Sequence, residues 1–331
     1  MTLQRVAHAA KKKTRVSPRT LGYCYMSLFI MILFFKNADA ASAWITEGLR
    51  LCAAKLIPSL FPFMVISALL IKSGAGTYIF KHLSIPFGAL FGTGTEGSCA
   101  LALGWLCGFP VGAKCARELY VSGSISKEEY KTILYISGTP SPAFLIGTVG
   151  ASMLDSKATG VFLYAASVLS SAIIGVFLRR RQKLKGMTAH ARYASKQRQM
   201  PFFQALTESV SDSGVNMLNI CAFVIFFSAF LGALEQSLSF LRSSEALSSL
   251  TFSFFELTSG LSRISITNSP YRLALCAVAV GWSGLSVHFQ TMSIGMSHDV
   301  SFAPYILSHA VRAALCGVLG LAAEIILTRF L

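Results

Sequence analysis

Acidic residues are scarce in this chain of 331 residues: 14 Asp and Glu stand against 29 Lys and Arg, and all charged types together make up 13%. A soluble domain carries about 25%. With 53% hydrophobic residues, so little charge excludes an ordinary cytosolic enzyme, a disordered chain and a coiled coil. A polytopic membrane protein remains, in which lipid covers the apolar surface. Paired cysteines are also lacking. None of the eight forms a CxxC unit, so neither a metal centre nor a disulfide framework is expected, and buried thiols are.

Signatures of catalysis and nucleotide binding are missing too. There is no HExxH and no nucleophile elbow. Gly92-Thr-Gly-Thr-Glu-Gly97 matches GxGxxG in letters but lacks a βαβ setting. The stretch Gly108 to Lys114 has a P-loop look, yet Cys115 stands where a Mg²⁺-binding Ser or Thr belongs. No enzyme activity, cofactor or ATP-driven step is expected.

The positive charge is concentrated. Residues 1–20 hold six Lys and Arg with no acid, and residues 179–200 hold eight with none. Flanked by apolar runs, such segments follow the positive-inside rule rather than nucleic-acid binding, so both are expected on the cytoplasmic side against anionic headgroups. The C-terminus is expected on the same side.

Apolar runs divide the chain. A basic N-terminus and retained anchor helix occupy 1–40, with the apolar run at 21–35. The remainder reads as 41–178, a basic loop at 179–200, and 201–331. Residues 41–55 mix Trp44, Ile45 and Leu49 with Glu47, Arg50 and Lys55 and predict an interfacial helix. With 21–35, spans are expected at 56–71, 127–154, 158–178, 214–234 and 303–330, with another interfacial stretch over 237–262 and an apolar stretch over 272–298 around Gly281 to Gln290. Gly108-Phe-Pro-Val-Gly-Ala-Lys114, inside an apolar stretch of 98–122, predicts a re-entrant hairpin. Ser137-Gly-Thr-Pro-Ser-Pro142 breaks the helix that contains it, which leaves free backbone groups at mid-membrane.

Periodicity supports a duplication. Gly108 to Lys114 aligns with Gly284-Leu-Ser-Val-His-Phe-Gln290, 176 residues later. With a one-residue slip, Ser126 and Tyr130 align with Ser301 and Tyr305. The predicted fold is all-α and polytopic, with about six spans and inverted repeats whose two re-entrant hairpins, the second at 281–290, meet at the midplane. Such a fold suits alternating access, with a duplicated scaffold that moves nothing as the alternative.

The stretches Gly108–Lys114, Ser137–Pro142, Phe144–Gly150 and Gly284–Gln290 together resemble the YlbJ (SpoVV) family of sporulation integral membrane proteins. That family is grouped with the nucleoside-recognition or Gate-domain proteins, whose fold is similar to concentrative nucleoside transporters. The resemblance covers about 41–331; many relatives carry Tyr where this chain has Phe109. It implies a spore-forming source, the outer forespore membrane, and carriage of dipicolinate, a dianion, into the forespore. A nucleoside or other solute carrier and a spore-envelope scaffold are the alternatives.

Site candidates follow from cost and position. An intramembrane Lys114 costs about 2.5–3.5 kcal/mol on insertion scales, so it either serves function or snorkels with Arg117. Arg312 lies about 14 Å into the last helix, and a guanidinium suits a carboxylate. His288 either binds, senses protons or is a satisfied buried histidine. Gln290, Ser286, Thr139 and Ser141 are neutral donors for a ligand or for the broken backbone. Gly108, Pro110, Gly112 and Gly284 shape the turns.

Overall fold

The computed structural model describes residues 17–184, 200–238, 245–296 and 300–330. The basic runs of 1–16 and 185–199 lie outside the described residues. Six helices among those described are long and apolar enough to cross a membrane. The fold is an all-α polytopic bundle.

After the anchor helix α1 (Pro18–Lys36) the chain turns at Asn37. α2 (Ala38–Leu51) passes through a wider turn at Cys52–Leu56 into α3 (Ile57–Lys72). The stretch expected at the interface is thus the first part of one 35-residue rod, about 52 Å long. What holds it upright is a partner. α10 (Phe202–Ser237) packs along its whole length in the opposite direction. Asn37 Nδ2 meets Ser237 Oγ at 2.8 Å. Further along, Trp44 rests on Gly232, where a Cβ would overlap the indole. At the far end Lys72 Nζ reaches Glu208 at 3.0 Å and Asp212 at 2.8 Å.

Behind each rod the same order of elements recurs. Short helices α4 (Ala75–Ile79) and α5 (Ser84–Phe91) lead into α6 (Thr95–Cys107) and α7 (Val111–Val121). These two fold back on one another as a hairpin, and Gly104 and Gly112 let the arms touch: a Cβ on Gly104 would lie 3.0 Å from Gly112 Cα. Next come α8 (Lys127–Ile136), the break at 137–142, a wide helical stretch Ala143–Met153, and α9 (Lys157–Leu184).

In the second half, α11 (Glu245–Phe255) and α12 (Leu257–Ser265) form the hairpin, with its tip at Glu256. There the Ser253 backbone occupies the space a side chain on Gly260 would need. α13 (Arg272–Trp282) and α14 (Leu285–Gly295) run on as one interrupted span, and α15 (Phe302–Phe330) closes the chain.

Two expectations are therefore corrected. Within the stretch expected at the interface over 237–262, residues 245–262 form a hairpin instead, residues 239–244 lie outside the described residues, and 281–290 is not a hairpin. The structural counterpart of the break Ser137-Gly138 is Ser283-Gly284, 146 residues later instead of 176. Gly112 and His288 are not equivalent, because one lies in a hairpin arm and the other past a break. The similarity between Gly108–Lys114 and Gly284–Gln290 has a local cause: both are glycine-led starts of a helix after a chain interruption.

The C-terminal expectation changes as well. Tyr130 Oη donates to Gly295 O at 2.7 Å, Gln182 Nε2 to Thr132 Oγ1 at 3.0 Å, and Met200 N to Lys72 O at 3.2 Å. These place residues 72, 130, 182, 200 and 295 near one face. α15 starts there and runs antiparallel to α13, with Glu324 on the amides of Leu273 and Ala274. Its end therefore lies at the opposite face from residues 184 and 200, the described ends flanking the basic loop, so a shared side for that loop and the C-terminus is not what these helices support.

Candidate functional site

Each hairpin tip rests on the break of its own half. At the first, Phe109 N donates to Thr139 O at 3.1 Å, and a Cβ on Gly108 would stand 2.6 Å from Ser141 N. At the second, a Cβ on Gly284 would stand 3.0 Å from Leu257 N. Gly108 has φ +78 and Gly284 φ +84, in a region that only glycine occupies without strain. An indole N–H ties each pair together: Trp105 to Ile136 O and Trp282 to Phe254 O, both at 2.9 Å.

Between the tips and breaks lies a narrow cavity, floored by the rods at Leu60 and Val224 and walled by Phe109, Ser141, Glu256 and Gln290. Its free space is about 30 Å³, which holds one or two waters. Four helical stretches begin around it, at Val111, Ala143, Leu257 and Leu285. Helix starts carry partial positive charge, a setting suited to an anion, and two of the four already have a side-chain cap, Glu256 on α12 and Ser141 on the Ala143–Met153 stretch. Ser141 Oγ accepts from Phe144 N at 3.2 Å. Gln290 Nε2 donates to Ser286 Oγ at 3.2 Å, and its buried Oε1 has no hydrogen-bond partner.

Glu256 is a wall residue that does not stand among the ligand candidates read from the sequence. Its oxygens accept from Thr258 N at 3.0 Å and Ser259 N at 2.6 Å, which caps α12. The signal was local: an acid ahead of Leu-Thr-Ser is an N-cap pattern, hidden by the assignment of its surroundings to the interface.

No family model matches the chain. The sporulation integral membrane protein YlbJ of Bacillus subtilis (strain 168) is 24% identical to it, over 88% of this chain and 79% of that protein. The two chains are thus similar along most of their length.

Of the polar residues singled out in the sequence, Ser141 and Gln290 line the cavity. Pro110 sits at the first tip, next to Phe109. Thr139 is buried, with its hydroxyl unpartnered. Gly112 only lets the hairpin arms close. Lys114 is elsewhere: it faces a separate pocket with Lys72, Ser213 and Asn216, 3.9 Å from Glu118 and partly exposed. It does not line the cavity, because α7 carries it more than a turn away from the tip, the arrangement expected if it snorkels.

Arg312 and His288 form a layer behind the cavity. Arg312 is 1% exposed. Its Nε donates to Gly281 O at 3.0 Å, and its terminal nitrogens lie 3.3 Å from Ser283 Oγ and 3.4 Å from Ser171 Oγ. It thus neutralises the carbonyl end of α13, where the break leaves C=O groups without helical donors. His288 Nδ1 is 3.1 Å from Tyr305 Oη. His309, one turn before Arg312, meets the His288 ring edge-on with centroids 4.7 Å apart.

Proposed function

We propose that this chain is a secondary carrier of a small organic anion, and that the anion is dipicolinate, moved into the developing forespore. One observation carries the reading: four helix starts surround one cavity where two oppositely oriented halves meet. Such helix starts offer an anion N–H donors without the desolvation cost of a free lysine. The YlbJ relative is named for sporulation and for the membrane, which supports the setting. On this reading the membrane is the outer forespore membrane, and the basic segments lie against its anionic headgroups.

The cavity in this conformation is too small for a pyridine ring. The carrier works by loosening a hairpin tip from its break, admitting substrate from one side and closing again. Glu256 favours a second reading, an uncharged solute such as a nucleoside, because a carboxylate in the wall opposes a dianion. Its two backbone N–H bonds spend much of that charge on α12.

The test is uptake of labelled dipicolinate, and separately of a labelled nucleoside, by the purified chain in proteoliposomes, with unlabelled nucleosides and other dicarboxylates as competitors. Gln290→Ala and Ser141→Ala are expected to lower uptake about tenfold each, equivalent to about 1.4 kcal/mol of lost binding. Uptake blocked by nucleosides and indifferent to dicarboxylates decides for the second reading. No uptake of either solute removes transport.

A further inference from the structure

His288 and His309 sit in contact at the centre of the protein, and both rings are 0% exposed. His309 Nδ1 lies 3.0 Å from Tyr305 O. A carbonyl only accepts, so Nδ1 holds the hydrogen and Nε2 a lone pair. That Nε2 has no partner, nor does His288 Nε2, nor the buried hydroxyls of Ser137 and Thr139. Buried nitrogens are rarely left so. A side chain on Gly138 would come within 2.9 Å of His309 Nε2. The imidazole therefore faces the break of the first half, while His288 belongs to the interrupted helix of the second.

The charges around the pair are one-sided. α15 contributes Tyr305 and, two turns on, Arg312; α13 and α14 contribute Trp282, Ser283 and His288; α8 and its break contribute the Tyr135 carbonyl, Ser137 and Thr139. Glu256 of the hairpin lies under Gly284 and is turned to its own helix. Among the described residues no carboxylate bonds to either imidazole or to Arg312. A second positive charge next to the guanidinium is unfavourable in a dry interior unless an anion accompanies it. Gln290, which reaches the cavity, follows His288 by two residues on α14, so a bound anion lies one helix layer away.

We propose that His288 and His309 are the proton site of this carrier: the pair takes up one proton from water on the loading side when an anion fills the cavity, and releases it on the other side. No covalent bond changes. The proposal rests on the anion-carrier reading.

The full chain in proteoliposomes tests it, with labelled dipicolinate outside and a pH-sensitive dye in the lumen. Dipicolinate uptake is expected to acidify the lumen. With one proton coupled per substrate, each pH unit of an inside-alkaline gradient changes accumulation about tenfold. His309→Gln and His288→Gln are expected to keep exchange of internal for external dipicolinate but to lose the gradient-driven accumulation. Uptake by the unaltered chain with no proton entry overturns the proposal and leaves the carrier reading standing, even if neither variant folds. So does gradient-driven accumulation in both variants. Absence of all dipicolinate uptake removes the carrier reading and the proton site with it.

Discussion

Arg312 is the largest side chain sealed within the described residues, and its environment argues for a helix-end partner before a ligand. Truncation strands Gly281 O and the hydroxyls of Ser283 and Ser171. Arg312→Met is therefore expected to cost about 1–3 kcal/mol, read as a lower thermal midpoint in detergent. Arg312→Lys should recover only part, because a compact ammonium cannot reach three acceptors as a planar guanidinium does. An unchanged midpoint in Arg312→Met would mean that the arginine is held for something other than the α13 carbonyls. Arg312 was legible in sequence as a costly intramembrane cation. Its neighbours were not, since they come from α9 and α13, distant in the chain.

At the scale of elements, each half depends on a hairpin whose tip is seated on a broken helix. The second tip is held by Glu256, whose side chain supplies both cap acceptors of α12. Replacing it with alanine removes them and is expected to cost about 1 kcal/mol. Glu256→Gln keeps one acceptor oxygen and should lose less. Thermal unfolding of the two variants side by side checks this order, and equal midpoints would contradict it. The arm of the same hairpin is pinned independently: Arg263 bridges to Glu235 at 2.7 Å and lies over the Phe252 ring at 3.7 Å. The first hairpin was legible because Gly-Phe-Pro-Val-Gly interrupts an apolar run. The second was not, because a serine- and acid-containing stretch reads as interfacial until it is seen packed against α10 and α13.

At the scale of the molecule, the antiparallel rods are the central arrangement. They bring Cys52 Sγ within 3.9 Å of Cys221 O. In a variant that keeps only these two cysteines, a short thiol-bridging reagent is expected to link them. Trypsin then cuts in the basic 185–199 segment, and the two fragments remain joined on a denaturing gel until the bridge is cleaved. Fragments that separate would contradict the antiparallel pairing. The same pairing sets the functional geometry: it turns the two halves in opposite directions, so that their tips and breaks face one cavity.

The sequence by itself determined the class of protein, because hydropathy and charge act locally and need no partner: scarce acids, apolar runs and two basic segments specify a polytopic helical membrane protein. It also marked the first hairpin tip, the break at Ser137-Gly138 and the cost of burying Arg312. Only the tertiary structure decided which break pairs with which, that Ser283-Gly284 interrupts a span instead of turning a hairpin, and that Lys114 stands apart from the cavity. Those outcomes depend on packing between separate helices, in part between residues far apart in the chain such as Trp44 and Gly232, and in lipid small residues such as Gly104, Gly232 and Gly260 set that packing by what they leave out.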